Sequence, residues 1–323
     1  MSLVPERDGE THGDDVTRLT EQDVRDLGAR VVEFEQNLVA ATGLTLRALA
    51  QRTVDIDRAL VAAQEPSGGN DHRTAPTAAS PAPAASFPDV PDSEDVPFAD
   101  ARIAAVPISQ GEGFIPGFCE GVVAILRHLG CAARVTEAPD VRGLQQAADG
   151  GDEVVFVADD FRFIALNIRT GVCADDDPAT ADGYATALAA AAGGLAGRPV
   201  LLLGLGPVGR AAGRRLAALG ADLFVAERDP AAVDRARADG LVFTAVDLAE
   251  GLRRCDLVFD ATPAADIVHA ADLRPGAIAA APGVPPAFDA EARALLGERH
   301  IHEPLAVGVA VMAARALTVG STR

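Results

Sequence analysis

Tryptophan is absent from these 323 residues, tyrosine occurs once, and aromatic residues make up only 4% of the chain. A surface for nucleic acid therefore lacks its stacking platforms. Positive charge is scarce as well: 28 basic residues against 47 acidic ones leave a formal net charge of -19, which repels a phosphate backbone. Nucleic acid is excluded as a partner on both counts. No long uncharged apolar run is present, so no membrane-spanning helix is expected. The opening "MSLVPERDGETHGDD" has no apolar core for a signal peptide, which points to a cytoplasmic protein. Cys119, Cys131, Cys173 and Cys255 are scattered without a CxxC pair and are expected to be reduced structural thiols.

What is present is an alternation of strand-like and helix-like stretches behind a polar start. Residues 1–16 read as a disordered acidic tail. Residues 17–63 carry two helical patterns, the first starting near Leu19 with Thr20 as a cap. Residues 64–99 are rich in proline, alanine and small polar residues, the composition of a semi-extended linker. Over 100–196 the segments "RIAAVPIS", "ARVTEA", "DEVVFVA" and "FRFIALNI" read as strands, with helices at 116–129, 140–148 and 179–195, a small α/β domain. Residues 197–304 supply "PVLLL", "DLFVAE", "LVFTAV", "DLVFDA" and "AIAAA", the pattern of a Rossmann-type doubly wound parallel sheet. The stretch 305–323 reads as a C-terminal helix whose small apolar face suits close packing between domains or subunits.

The stretch "VLLLGLGPVGRAAGRRLAALGADLFVAER" carries the clearest chemistry. Gly204 permits a sharp exit from the strand, Gly206 admits a pyrophosphate to the backbone, and Gly209 lets helix and sheet approach closely. Pro207 suits the first helical turn, where free N–H groups and the helix dipole favour an anion. Leu205 and Val208 complete that loop, and Arg210, Arg214 and Arg215 read as a solvated helix face. Glu227, eighteen residues beyond Gly209, would accept hydrogen bonds from a ribose diol and repel a 2′-phosphate, which favours NAD over NADP; Arg228 beside it pulls the other way. Thr262 and Pro263 follow one strand and Pro282 and Gly283 another, small residues able to admit a nicotinamide ribose.

Eight segments together resemble the pyrrolysine-biosynthesis dehydrogenase family: "LT" at Leu19, "TGL" at Thr42, "VPISQGEGFIPGF" from Val106, "ADDFRFIALN" from Ala158, "GLGPVG", "DATPAAD" from Asp260, "APGVP" from Ala281 and "HEPLAVG" from His302. The resemblance implies an NAD-dependent oxidation of the terminal amine carbon of 3-methyl-D-ornithyl-N6-L-lysine, followed by ring closure with loss of ammonia. It implies a homodimer and a small amine or dipeptide-like substrate. It makes Asp159 and Glu303 the candidate catalytic carboxylates and Leu19, Ser109, Gln110, Asn167 and Asp176 candidates for substrate binding, with the N-terminal helix as a lid. Taken alone, Asp159 serves equally as a turn cap, Glu303 as half of a structural ion pair, and Asn167 as a strand residue satisfied by backbone.

The chain departs from the family at Gln110 and at Asp175, Asp176 and Asp177, which add polarity and negative charge near the presumed pocket. Three consecutive aspartates do not converge on one ion and read as a solvated loop. His300 and His302 alternate on a strand without further ligands, so no metal is expected. Two other readings stand beside the main one: a related amine or imine dehydrogenase with another substrate, and an NAD-responsive sensor without catalysis.

Overall fold

The computed structural model describes residues 20, 21, 25, 27–64, 96–109 and 115–318. Leu19, Gln110, the acidic tail and nearly all of the linker lie outside the described residues. Two helices come first, α1 (Leu27–Thr42) and α2 (Leu46–Gln64). α1 buries Leu27, Val31, Phe34 and Leu38, one stripe at helical spacing.

The next part alternates β1 (Arg102–Ala105), α3 (Phe118–His128), β2 (Ala132–Val135), α4 (Asp140–Asp149), β3 (Val154–Ala158), β4 (Phe163–Asn167), β5 (Cys173–Asp175) and α5 (Asp176–Ala192). Its five-stranded sheet has the order β2-β1-β3-β4-β5. The first three strands are parallel, while β4 and β5 run antiparallel to their neighbours. The three-residue β5 is too short to show a period in the sequence. The three aspartates are not a solvated loop: Asp175 caps α5, its side chain accepting from the Asp177 N–H, and Asp176 and Asp177 form the first turn. Acidic side chains there are favoured by the helix dipole.

The second sheet uses β6 (Pro199–Leu203), α6 (Pro207–Ala218), β7 (Asp222–Ala226), α7 (Pro230–Ala238), β8 (Thr244–Ala245), α8 (Leu248–Arg254), β9 (Leu257–Asp260), β10 (Ile278–Ala280), α9 (Ala290–Leu296) and β11 (His300–Ile301). All six strands are parallel, in the order β8-β7-β6-β9-β10-β11. That is the doubly wound order 3-2-1-4-5-6, whose ligand crevice opens between its first and fourth strands, here β6 and β9. The expected strand "LVFTAV" contracts to the two exposed residues of β8 at the sheet edge.

The last helix, α10 (Ala306–Leu317), buries every residue except Arg315. It packs within the chain, on α5, α2, α3 and the antiparallel strands, so its small apolar face is spent inside the molecule. The α5–α10 contact is close because Gly183 faces Val307 and Val311; a Cβ there would stand 2.5 Å from Val307 Cγ1. Cys119, Cys131 and Cys255 are buried and Cys173 is exposed, all as free thiols. Among the described residues no helix is long and apolar enough to cross a membrane.

Gly183→Val is expected to force α5 and α10 apart, since two stiff branched side chains cannot share the space. Overpacking of this kind costs about 1–3 kcal/mol, read as a fall of several degrees in the thermal midpoint; an unchanged melt would show that the helices can re-seat.

Candidate active site

The cofactor cradle follows from the exit of β6. Gly204 has φ +87°, a left-handed turn that a side chain resists. A Cβ on Gly209 would stand 2.2 Å from the Gly204 carbonyl oxygen, so α6 can sit against the strand end only without one. Around Gly206 a Cβ would meet nothing within 4 Å, which leaves open space beside the backbone at the head of α6. Pro207 opens the helix, and Leu205 is buried beneath the loop. A tight turn alone would need Gly204 and Gly209 but not the open approach at Gly206, so the residues present fit a pyrophosphate.

Glu227 stands one residue past β7 and reaches back to this loop: its Oε2 accepts from Leu205 N–H at 2.6 Å and its Oε1 from Asp229 N–H at 2.8 Å. Those bonds hold the carboxylate against the glycine loop, with lone pairs left to accept from a further donor. Arg228 is exposed. Thr262 and Pro263 follow β9, and Pro282 and Gly283 follow β10. The two turns touch: a Cβ on Gly283 would stand 2.5 Å from the Thr262 carbonyl oxygen.

On the other side of the crevice, Glu303 is only 3% exposed, two residues beyond β11. Its Oε2 accepts from the Leu305 and Ala306 N–H groups at 2.8 and 2.5 Å, at the head of α10. Its Oε1 accepts from Arg30 of α1 at 3.1 Å. Tyr184, the single tyrosine of the chain, is fully enclosed on α5; its hydroxyl donates to the Glu303 carbonyl at 2.5 Å and accepts from the Glu303 N–H at 2.9 Å. Burial, then the Glu303 charge, raises its pKa, so it stays protonated. Asp176, two turns before Tyr184, accepts from Thr180 Oγ at 3.0 Å and faces Gly308 of α10. The heads of α5 and α10 thus lie together, with Asp176 facing Gly308 and the Tyr184 hydroxyl bonded to the Glu303 backbone. A cavity of about 200 Å³ lies beside Glu303, lined among others by Arg30, Phe34, Asn37, His300 and His302.

His302 Nδ1 lies 2.6 Å from the Ala281 carbonyl oxygen, next to Pro282, which links the Glu303 segment to the cofactor loops. The His300 and His302 rings stack, with centroids 5.4 Å apart, and burial pushes His300 down to about 3, a neutral imidazole. Among the described residues no group of three or more His, Cys, Asp or Glu is arranged to hold a metal.

Two sequence candidates have other positions. Asp159 is exposed in the β3–β4 hairpin, and its Oδ1 accepts from Phe161 and Arg162 N–H, each at 2.8 Å, the bonds of a turn cap. Asn167 pairs in register with Val154, at the end of the sheet away from Ala158 and Asp159. Its amide donates to the Ala316 carbonyl at 2.9 Å, and its oxygen caps Arg169 and Thr170. The antiparallel direction of β4 is what carries Asn167 away from the crevice. Ser109 is exposed beyond β1, at the crevice end, with its N–H donated to Asp140.

Several residues carried no sequence signal. Arg210 donates to the Leu205 carbonyl at 2.9 Å, and its charge acts on Asp177 across the crevice. Arg215 is no part of a solvated face: it is 6% exposed and pairs with Asp57 and with Asp182, the latter at 2.9 Å. Only Arg214 stays exposed.

Residues 84–174 match the N-terminal domain of the pyrrolysine biosynthesis protein PylD, and residues 167–270 match the NAD binding domain of the D-isomer specific 2-hydroxyacid dehydrogenases. Pyrrolysine synthase of Methanosarcina acetivorans is 32% identical over 211 residues, 65% of this chain and 80% of that protein. The chain belongs to the pyrrolysine synthase family. The Methanosarcina barkeri member is 31% identical over 211 residues, covering 65% of this chain and 79% of its own. Among solved structures, quinate dehydrogenase from Corynebacterium glutamicum in complex with NAD aligns at 17% identity, with 68% of this chain, 94% of that chain and a TM-score of 0.47. This pyrrolysine synthase family member is an NAD-dependent oxidoreductase of pyrrolysine biosynthesis.

Glu227 is expected to set the cofactor preference. Titration should show NAD bound more tightly than NADP, and Glu227→Ser should narrow that ratio at least tenfold while weakening NAD less. Tighter NADP binding by the unmodified protein would remove the role given to this carboxylate.

Proposed function

We propose that the chain oxidises the terminal amine-bearing carbon of 3-methyl-D-ornithyl-N6-L-lysine. The substrate's own α-amine then attacks the resulting imine carbon, and the pyrroline ring closes with loss of ammonia. The observation that supports this reading most is the buried Glu303 at the head of α10, next to His302, which bonds the loop after β10, with Asp176 of α5 facing Gly308 of the same helix. When bound, NAD supplies the two-electron acceptor.

A buried carboxylate calls for a cation. Glu303 has one oxygen committed to backbone donors and offers the other to Arg30, the position that suits a substrate ammonium. An ammonium cannot release hydride from its carbon, and an ordinary amine holds its proton to a pKa of about 10.4. Desolvation in the cavity between α1 and residues 298–303 lowers the amine's pKa, and the carboxylates orient it and take up the proton. Tyr184 keeps the Glu303 backbone fixed while this happens. In the same reading the protein works in the cytoplasm as a homodimer, which light scattering of the purified chain decides.

The test is incubation with NAD and this substrate, following NADH absorbance and product mass, with a ring-closed product and free ammonia expected. Asp176→Asn and Glu303→Gln should bind NAD normally and lose about 10²–10⁴ in kcat/KM. Asp159→Asn should lose less than about tenfold, because a turn cap is worth only about 1 kcal/mol. Reduction of NAD with another diamine but not with this substrate would leave the oxidoreductase and remove the substrate.

A further inference from the structure

Asp260 ends β9 with its side chain fully buried, and the chemistry above does not use it. Its two carboxylate oxygens serve two different loops. Oδ1 accepts from Thr262 N–H at 3.1 Å, in the turn after β9, and Oδ2 accepts from Ala287 N–H at 2.7 Å, at the far end of the loop after β10. Its carbonyl accepts from Gly283 N–H at 3.0 Å. These are the loops that carry Thr262, Pro263, Pro282 and Gly283, and they touch where Gly283 faces the Thr262 carbonyl.

We propose that Asp260 is a positioning residue for the nicotinamide end of the cofactor, an ionised clasp that holds the 261–264 turn against the 281–287 loop. The inference depends on the cofactor alone and stands whichever amine is oxidised.

The segments around the carboxylate, residues 203–205, 261–265 and 280–288, contain no ionisable side chain. Just beyond them, Glu227 is bonded to Leu205 N–H, Asp266 pairs with Arg293, His302 lies against the Ala281 carbonyl, and His300 packs on Phe288. From α5, Tyr184 stays protonated. With no cation against it, burial pushes Asp260 up to about 7, opposed only by its two N–H donors. Protonation puts a hydrogen on one oxygen, and the N–H facing that oxygen loses its acceptor. The clasp therefore closes as pH rises through neutrality and loosens as pH falls.

The experiment is calorimetric titration of the full chain with NAD, without substrate, from pH 5.5 to 8.5. The dissociation constant should fall about three- to tenfold between pH 6 and pH 8, the worth of one hydrogen bond, with a midpoint near 7. Asp260→Asn, which can accept only one of the two bonds, should hold the weaker affinity at every pH. Gly283→Ala, whose Cβ would stand 2.5 Å from the Thr262 carbonyl oxygen and 3.2 Å from the Asp260 carboxylate, crowds the same clasp without removing its charge and should weaken NAD by a similar factor. A flat profile in the unmodified protein overturns the proposal, as does an undiminished profile in Asp260→Asn or unchanged NAD affinity in Gly283→Ala. Because no amine is present, these outcomes are separate from failure of the substrate assignment.

Discussion

Two aspartates and two arginines from four helices share one part-buried cluster, and the relation of those helices depends on it. Asp57 comes from α2, Asp182 from α5, Arg215 from α6 and Arg315 from α10. Arg315 reaches Asp57 at 3.0 Å and Asp182 at 2.5 Å, and Arg215 touches both aspartates. Such a cluster adds little stability over an apolar equivalent, but losing one member strands a charge inside, at a cost of about 3–5 kcal/mol. Its consequence is therefore geometric. α6 cannot rotate without breaking its contact to α5, so the glycine loop at its head stays aimed at the crevice. α10 is held in the same way, and with it Glu303.

The scarcity of aromatic residues explains how these helices come close enough. With few large rings available, the contact between α5 and α10 is made by alanine, glycine and valine, and Gly183 and Gly308 mark the closest approaches. Close axes are what let Tyr184 reach the backbone of Glu303 and bring Asp176 alongside. The sequence contains no lysine, so each cation of the cluster is a guanidinium. A planar fork can serve two carboxylates at once, which an ammonium does less well.

What the sequence disclosed was local, and what it hid was direction and distance. The glycine loop was legible because the requirements at Gly204, Gly206 and Gly209 are set by the turn itself, and the doubly wound class of the second sheet followed from the alternation of short apolar runs with helices. Period alone cannot tell a parallel strand from an antiparallel one. The antiparallel course of β4 carries Asn167 to the end of the sheet away from Asp159, and Asp159 caps the hairpin that reverses the chain, neither of which the period discloses. Asp176 was legible as a polar departure, but its place against Gly308 depends on α10, more than a hundred residues later. Arg215 looked solvated because its partners lie on other helices.

The same distances explain why the N-terminal helices bear on the chemistry at all. α2 enters the charge cluster through Asp57, and α1 reaches the site through Arg30, which pairs with the outward oxygen of Glu303. The guanidinium there keeps a buried carboxylate compensated. An ammonium-bearing ligand can replace it at small electrostatic cost, since one cation leaves as another arrives, whereas a neutral ligand would strand the charge.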